Sequence, residues 1–452
     1  MARSFTGGVH PKGMKSPEIP VTVIAPPPQA VIPMAQHIGA PCKPLVAVGD
    51  TVKMGQKIGE NPAAVSAPVH SSVSGKVVAV EPRPHPLGDM VLSVVIENDG
   101  LDTPCEDLKP LSEEELKDPE AILTRIREAG VVGMGGAMFP TAFKLRDAVD
   151  RVDKLIINGA ECEPYLNGDH LTMLNHPVEL LKGIELARIA SRLDKAYYGI
   201  ERNKLDAVRL LNSKEPEKYG VEIIPEKVKY PQGGERMQVK TITGREVRPG
   251  GLPSGVGCNV ISTRTCYAIY QACYEGRPVI DRIVTVAGSA MKAPVNALVR
   301  VGTPFGYLAE QCGGFVKTPR KIVLGGPMMG ICATSFEAPT VKGTAGVLFF
   351  TEEEDRSVKE PVCIHCGKCL SVCPMRLEPM FMYKYFIKGD LEMLKKYHVT
   401  DCFECGSCAY NCPGRMPLTH AFKSAKVMLQ EQAAKEKAAA EAKRQRRLQN
   451  ER

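Results

Sequence analysis

The stretch Cys363-Ile-His-Cys366-Gly-Lys-Cys369-Leu-Ser-Val-Cys373-Pro374 is followed by a second copy of its pattern, Cys402-Phe-Glu-Cys405-Gly-Ser-Cys408-Ala-Tyr-Asn-Cys412-Pro413. Each reads C-x2-C-x2-C-x3-C-P, the spacing that wraps a [4Fe–4S] cube. Three thiolates on a tight loop take three irons, and the fourth follows just ahead of a proline. Where two such runs share a chain, the fourth cysteine of each crosses to the other cube. Cys363, Cys366, Cys369 and Cys412 are therefore expected at one cluster, and Cys402, Cys405, Cys408 and Cys373 at the other. Zinc is the competing reading. Its sites usually draw four ligands from two separated C-x2-C pairs, which a doubled four-cysteine run with both prolines fits poorly.

Working outward, the chain has 452 residues, of which 44% are hydrophobic and 24% charged, enough for about three ordinary globular domains. No run approaches the roughly 18 apolar residues needed to span a bilayer. The opening Met-Ala-Arg-Ser-Phe-Thr-Gly-Gly has no apolar signal-peptide core, so export is not expected. Eight of the 16 cysteines lie in the two repeats. The others (Cys42, Cys105, Cys162, Cys258, Cys266, Cys273, Cys312, Cys332) are scattered singly, as reduced thiols are. Net charge is +7, more than half of it from the last 27 residues. With a nearly balanced body, no Trp and 6% aromatics, the chain lacks a nucleic-acid footprint.

Residues 1 to about 30 are Gly- and Pro-rich. From 31 to 100, short β-branched runs (Leu45–Val48, Val77–Val80, Val91–Ile96) alternate with Gly-containing turns, the mark of a small barrel or sandwich. The order Val-Gly-Asp-Thr-Val-Lys-Met-Gly-Gln, then Ala-Pro-Val-His-Ser-Ser-Val-Ser-Gly-Lys-Val, resembles the biotinyl/lipoyl carrier fold. A carrier needs a lysine at its hairpin tip, here near Asn61–Ala64, and none occurs between Lys57 and Lys76. The expectation is a carrier-like scaffold without the carried group. After an acidic linker at 101–118 the pattern turns α/β: helix 119–129, strand 154–158, helix 178–191, strand 195–200, helix 201–214. Such alternation implies a mostly parallel sheet. Short strands return over 278–330. Residues 423–448 are rich in Ala, Lys, Glu, Gln and Arg without an apolar stripe, as in a solvated helix.

The run Gly130-Val-Val-Gly133-Met-Gly135-Gly136-Ala137-Met-Phe139-Pro140-Thr141-Ala-Phe-Lys144 lets backbone amides approach a phosphate, with Lys144 as a point charge. Many Gly-rich loops bind nothing, and alone it is weak. The strand at 154–158 ends in Asn158-Gly159-Ala160-Glu161-Cys162-Glu163-Pro164, and open α/β sheets place ligands at the C-terminal ends of their strands. Glu161 and Glu163 read either as surface carboxylates or, beside that loop, as part of a site.

Taken together these motifs resemble the FMN and NADH site of the flavoprotein subunit of respiratory complex I. They are closer still to the RnfC family, the C components of the membrane-bound Rnf electron-transport complexes. Phe5-Thr-Gly-Gly-Val-His-Pro, Tyr230-Pro-Gln-Gly-Gly-Glu235, Leu252-Pro-Ser-Gly-Val-Gly257, Gly325-Gly-Pro-Met-Met-Gly330 and both cysteine repeats match it in order, over residues 4 to about 425. The resemblance implies a multidomain α/β and β chain. Its parts are a lipoyl-like barrel-sandwich domain (1–105), a Rossmann-like FMN/NADH domain (118–277), a β-grasp ligand-binding module (278–335), a two-cluster ferredoxin-type domain (355–422) and a basic helical tail (423–452). It further implies that Gly133, Gly135, Gly136 and Lys144 hold the FMN phosphate region and that Asn158 contacts the flavin. Glu161 and Glu163 would line the flavin and nicotinamide pocket as the catalytic pair, with Phe139 shaping it. Tyr230, Gly234 and Glu235 would close its far side, and Thr265 keeps its family place. Two positions depart from pattern: Ala160 replaces an acidic residue of the complex I motif, and Ser262 replaces the asparagine usual before Thr265.

The implied function is one-to-two-electron conversion. Nicotinamide takes a hydride, a cube passes single electrons, and a flavin does both. The resemblance implies two [4Fe–4S] clusters, FMN and NAD(H), in a ferredoxin:NAD+ oxidoreductase coupled to Na+ or H+ movement. It also implies a peripheral place on the cytoplasmic face of the cell membrane. Partners would be the other subunits, including an iron–sulfur subunit accepting electrons from ferredoxin, with no nucleic acid. One alternative is a cobalamin reductase-like flavin/iron–sulfur protein, which generally lacks the long N-terminal barrel. Another is an electron-relay scaffold with a degenerate flavin site, separable by a flavin count.

Overall fold

The computed structural model describes residues 4–136, 138–354 and 360–450, with side chains through residue 442. The chain divides into two compact units. The larger comprises residues 11–228 and 232–354, and the smaller takes Phe5–His10, Lys229–Pro231 and the residues from 360 onward.

The larger unit begins with two small sheets. One pairs Gln29–Pro33, Met90–Asn98, Gly75–Pro84 and Thr51–Val52; the other pairs Lys43–Pro44, Lys57–Glu60 and Val69–His70. Alternating residues of these strands turn inward, so Ile32, Ile58, Val69, Val77, Val94 and Ile96 form one core. The segment after Glu60, where a carrier would present lysine, is an Asn61 turn: Asn61 Oδ1 accepts from Ala63 N at 2.9 Å.

The flavin-type domain is a parallel four-stranded sheet in the order Val221–Glu226, Ala196–Glu201, Lys154–Gly159, Cys258–Ser262. Helices Pro119–Glu128, Pro177–Ala190 and Thr263–Tyr274 bury Ile122, Ile126, Leu180, Ile184 and Ile269 in the same core as Leu155 and Ile157 of the central strand. Apolar residues at helical spacing meet a continuously apolar strand, as a sheet covered by helices requires. The first three strands run to one side of the sheet, and the fourth is laid on the other side of Lys154–Gly159. The order therefore reverses between Lys154–Gly159 and Cys258–Ser262. Such a reversal opens a crevice at the carboxyl ends of the two strands. Here those ends are Asn158 and Ser262, directly paired in register.

The third sheet is six-stranded and mixed: Val21–Val23, Val295–Arg300, Asp281–Ala287, Gly346–Phe350, Lys321–Leu324, Ile331–Ala333. It takes in strands from before and after the expected 278–335. Val21–Val23, read as part of an irregular opening, adds a parallel edge strand, and Gly346–Phe350 inserts centrally. Three residues are too few to show a period in sequence.

In the smaller unit the cysteine repeats impose matching backbones. His365 and Gly367 take positive φ ahead of the short helix Lys368–Ser371, and Glu404 and Gly406 do so ahead of Ser407–Tyr410. Arg376 and Arg415 follow the two proline turns in the same left-handed region. Helices Pro379–Ile387, Leu391–Lys396 and Leu418–Asn450 complete it. The last begins ahead of the expected 423, because Leu418, Phe422, Ala425 and Leu429 bury a first stretch. Residues 433–442 are exposed. Among the described residues no helix is long and apolar enough to cross a membrane.

Candidate functional site

At the sheet's reversal, Ser262 Oγ and Thr265 Oγ1 lie 2.8 Å apart, and Thr265 Oγ1 accepts from Met134 N at 3.0 Å. The departing Ser262 thus anchors the start of the following helix and the Gly-rich loop together. A Cβ on Gly135 would stand 3.2 Å from Ser262 Cβ, whereas Gly136, at φ +126°, faces open space. Gly135 and Gly136 are exposed, leaving their backbone N–H groups available, whereas Gly133 N donates to Phe139 O at 2.8 Å and closes the loop. Ala137 lies outside the described residues. The helix Thr141–Ala148 follows with no side-chain cap. Among the described residues Thr141 Oγ1 is buried without a partner. An uncapped helix start, exposed glycines and an orphaned hydroxyl are the donor set an anionic phosphate uses. They fit the phosphate end of FMN. Thr141 was not singled out in sequence, because a threonine opening a helix is ordinary.

Asn158 ties its strand end to the 233 segment. Its Nδ2 donates to Gly233 O at 2.8 Å and its Oδ1 accepts from Ala160 N at 3.2 Å. Lys144 is already engaged, donating to Glu235 Oε1 at 2.5 Å and Val260 O at 2.6 Å. Gly234 caps and Glu235 opens the helix Glu235–Thr243. Phe139 packs edge-on against Phe143 with centroids 5.9 Å apart.

Glu161 and Glu163, expected as the catalytic pair, are both taken up by backbone amides. The buried Glu161 carboxylate accepts from Asp169 N at 2.9 Å and His170 N at 3.4 Å, at the start of the helix Gly168–Asn175. Burial would raise its pKa, but Lys15, Lys204, Arg264 and the Asp169 amide outweigh it and hold it below the usual carboxylate range. Glu163 accepts from Met328 N at 3.0 Å and Met329 N at 2.9 Å. Gly326 is obligatory beneath it, since a Cβ there would come 2.2 Å from Glu163 Oε2. Behind the loop, Lys15 donates to Glu163 O at 2.9 Å and also to Leu166 O. The pairs Lys204–Glu201 and Arg264–Asp169 are buried at 2.9 and 2.7 Å. Sequence reading missed these five groups. Isolated charges carry no periodic signal.

In the smaller unit Cys373, Cys402, Cys405 and Cys408 line one cavity, walled by Pro374, Leu377, Met382 and Phe422. The second repeat's first three cysteines and the first repeat's fourth are therefore brought together. Cys412 lies close enough to Cys369 for their charges to interact. Burial, then crowding by one another, pushes Cys408 well up and Cys402 up to about 12. Four sulfurs cannot ionise together in so apolar a pocket without cations, which iron supplies. Amides are aimed at the sulfurs, Leu377 N at Cys373 Sγ (3.3 Å) and Glu404 N at Cys402 Sγ (3.4 Å). These features fit a [4Fe–4S] cube. Among the described residues no three His, Cys, Asp or Glu side chains form a single-ion site. Cys363 and Cys369 are half-buried and Cys366 exposed. Tyr230, expected at the far side of the flavin pocket, belongs to this smaller unit. Its buried hydroxyl donates to Cys405 O at 2.6 Å.

Comparison with known proteins follows the same divisions. Residues 3–101 match the RnfC barrel-sandwich hybrid domain, 126–271 the Nuo51 FMN-binding domain, 283–331 the SLBB domain and 362–416 the 4Fe-4S dicluster domain. The C component of the Na+-translocating ferredoxin:NAD+ oxidoreductase complex of Acetobacterium woodii is 44% identical over 385 residues, covering 84% of this chain and 87% of that one. The chain belongs to the RnfC family. The counterpart in the proton-translocating complex of Clostridium ljungdahlii is 43% identical, with 84% of each chain covered. The C component of the ion-translocating oxidoreductase complex of Rhodobacter capsulatus is 37% identical over 96% of this chain and 84% of its own length. Among solved structures, an NAD+-reducing [NiFe]-hydrogenase in the H2-reduced state aligns with TM-score 0.50 at 21% identity, over 68% of this chain and 63% of that one. That likeness concerns the fold alone. As an RnfC-family chain it combines an FMN-binding domain with a dicluster iron–sulfur domain in one component of a larger complex.

Proposed function

We propose that this chain passes electrons between two [4Fe–4S] clusters, FMN and NAD(H) within a membrane-bound, ion-translocating ferredoxin:NAD+ oxidoreductase. The carrying observation is the co-occurrence, on one chain, of a phosphate-ready crevice at the sheet's reversal and a four-cysteine cavity formed across two repeats. Bound FMN would supply the exchange between single electrons and a hydride.

Each residue has a physical task. Gly135, Gly136 and Thr141 offer donors to the phosphate, Gly133 closes the loop through its bond to Phe139 O, and Lys144 lies at the rim, tethered to Glu235. Asn158 and Thr265 fix the crevice walls, and Phe139 borders the loop. Glu161 holds the start of the Gly168–Asn175 helix and Glu163 the 325–330 turn, so both position the pocket through backbone amides. Gly234 and Glu235 set the helix that meets Lys144. Cys363, Cys366, Cys369 and Cys412 take one cube; Cys402, Cys405, Cys408 and Cys373 take the other. Tyr230 fixes the loop of the second.

Relatives named for Na+ and for protons are equally similar, at 44% and 43% identity, and no described helix can cross a bilayer. Ion movement is therefore assigned to integral partner subunits. Electrons are exchanged with an iron–sulfur subunit that meets ferredoxin, and the chain works at the cytoplasmic face. Adding NADH anaerobically to FMN-replete protein should bleach the flavin's visible band; an unbleached band removes the nicotinamide claim.

A further inference from the structure

The barrel has no carrier lysine, and the function above gives it no task. It does meet the Gly-rich loop. Lys342, fully buried in the segment leading to the Gly346–Phe350 strand, donates from Nζ to Pro68 O in the barrel and to Gly130 O at the loop's first glycine, both at 2.7 Å. Its own amide donates to Gln36 Oε1 at 3.1 Å, and its carbonyl accepts from Arg282. Gly130 has φ +64°, and a Cβ there would stand 2.3 Å from Pro68 O and 2.5 Å from Lys342 Nζ. One residue on, a Cβ on Gly343 would stand 2.3 Å from Met138 Cγ, so the loop's far end rests on bare backbone. Met138 O also accepts from Ile38 N of the barrel at 3.3 Å, and Met138 itself takes the left-handed φ +49°.

We infer that Lys342 and Gly343 are positioning residues that brace both ends of the flavin loop against the N-terminal barrel, and that this abutment is the barrel's task in the chain. Lysine suits it as a donor with several N–H groups and no competing acceptor in its ammonium form. Burial pulls its pKa down to about 7, and the neutral amine still has two N–H groups for two carbonyls. The inference rests on the loop being the FMN phosphate site, so its test carries a readout independent of flavin.

The experiment compares the full-length protein with Lys342→Met, Gly343→Ala and Gly343→Ala/Met138→Ala. FMN affinity is read by fluorescence titration, and amide hydrogen exchange over residues 131–140 is read without FMN. Lys342→Met leaves two buried carbonyls unpaired, so FMN should bind about ten-fold or more weakly, with faster loop exchange. Iron content should be unchanged. Gly343→Ala should do the same by displacing Met138, and the double variant should recover. If Lys342→Met fails to fold, the Gly343 pair decides: a silent Gly343→Ala overturns the brace, and weakening restored by Met138→Ala supports it. Wild-type FMN affinity and loop exchange in every variant overturn it. Should the wild-type chain bind no FMN, the flavin reading falls and exchange alone decides, faster supporting the brace and equal overturning it.

Discussion

Glu226 ends its strand fully buried, with Oε2 accepting from Gln238 Nε2 at 2.7 Å and Oε1 without a partner among the described residues. Burial, reinforced by the Glu201 carboxylate and opposed by Gln238, Gln232 and Lys204, pushes its pKa up to about 8. Between its ordinary value and that one, the folded chain keeps a proton the unfolded chain has lost. Its contribution to stability therefore falls as pH rises through the window. Glu226→Gln mimics the protonated form without titrating. Relative to wild type the variant should gain up to about 5 kcal/mol of unfolding free energy between roughly pH 5 and pH 9; parallel denaturation curves would contradict the assignment. Tyr230→Phe removes one buried hydrogen bond, to Cys405 O. A stability loss of about 1 kcal/mol should accompany a changed paramagnetic signal from one cluster only. Equal change in both clusters would mean that Tyr230 does not serve the second cube's loop alone.

At the scale of elements, the long final helix divides by burial. Phe422, Ala425 and Leu429 are buried, and Lys426 donates to Cys402 O and to Glu404 Oε1, the latter at 2.8 Å. Removing residues 433–452 should leave iron content and thermal midpoint unchanged, whereas ending the chain at 424 should lose cluster stability. Iron analysis and melting of the two truncations check this, and equal behaviour would refute the division. The same helix shows what sequence could reveal. Its polar length was legible, but its buried start was not, because Leu418 and Phe422 lie among residues with no sustained stripe. The helices 119–128 and 177–190 announced themselves by their pattern, and the strands 154–159 and 196–201 by short apolar runs. The strand Cys258–Ser262 did not: it is short, yet it creates the crevice by pairing on the far side of Lys154–Gly159. The cysteine spacing led to an expectation for two sets of thiols, and Cys373, Cys402, Cys405 and Cys408 of one set line a single cavity. Lys342 and Lys15 were invisible, because their roles come from chain segments remote in sequence.

For the whole molecule, two kinds of site occur on two compact units joined by one chain. The larger unit offers backbone amides and a hydroxyl to an anion; the smaller offers clustered sulfurs to iron. Neither alone accounts for exchange between one-electron and two-electron carriers, and their presence together is the central claim. The most direct test is to purify the full-length chain anaerobically, count iron, sulfide, zinc and flavin, and record electron paramagnetic resonance after reduction. The account predicts about eight irons with matching sulfide, one FMN, and signals from two interacting cubes. A single four-iron centre, zinc in place of iron, or two cubes without a bindable flavin would contradict it.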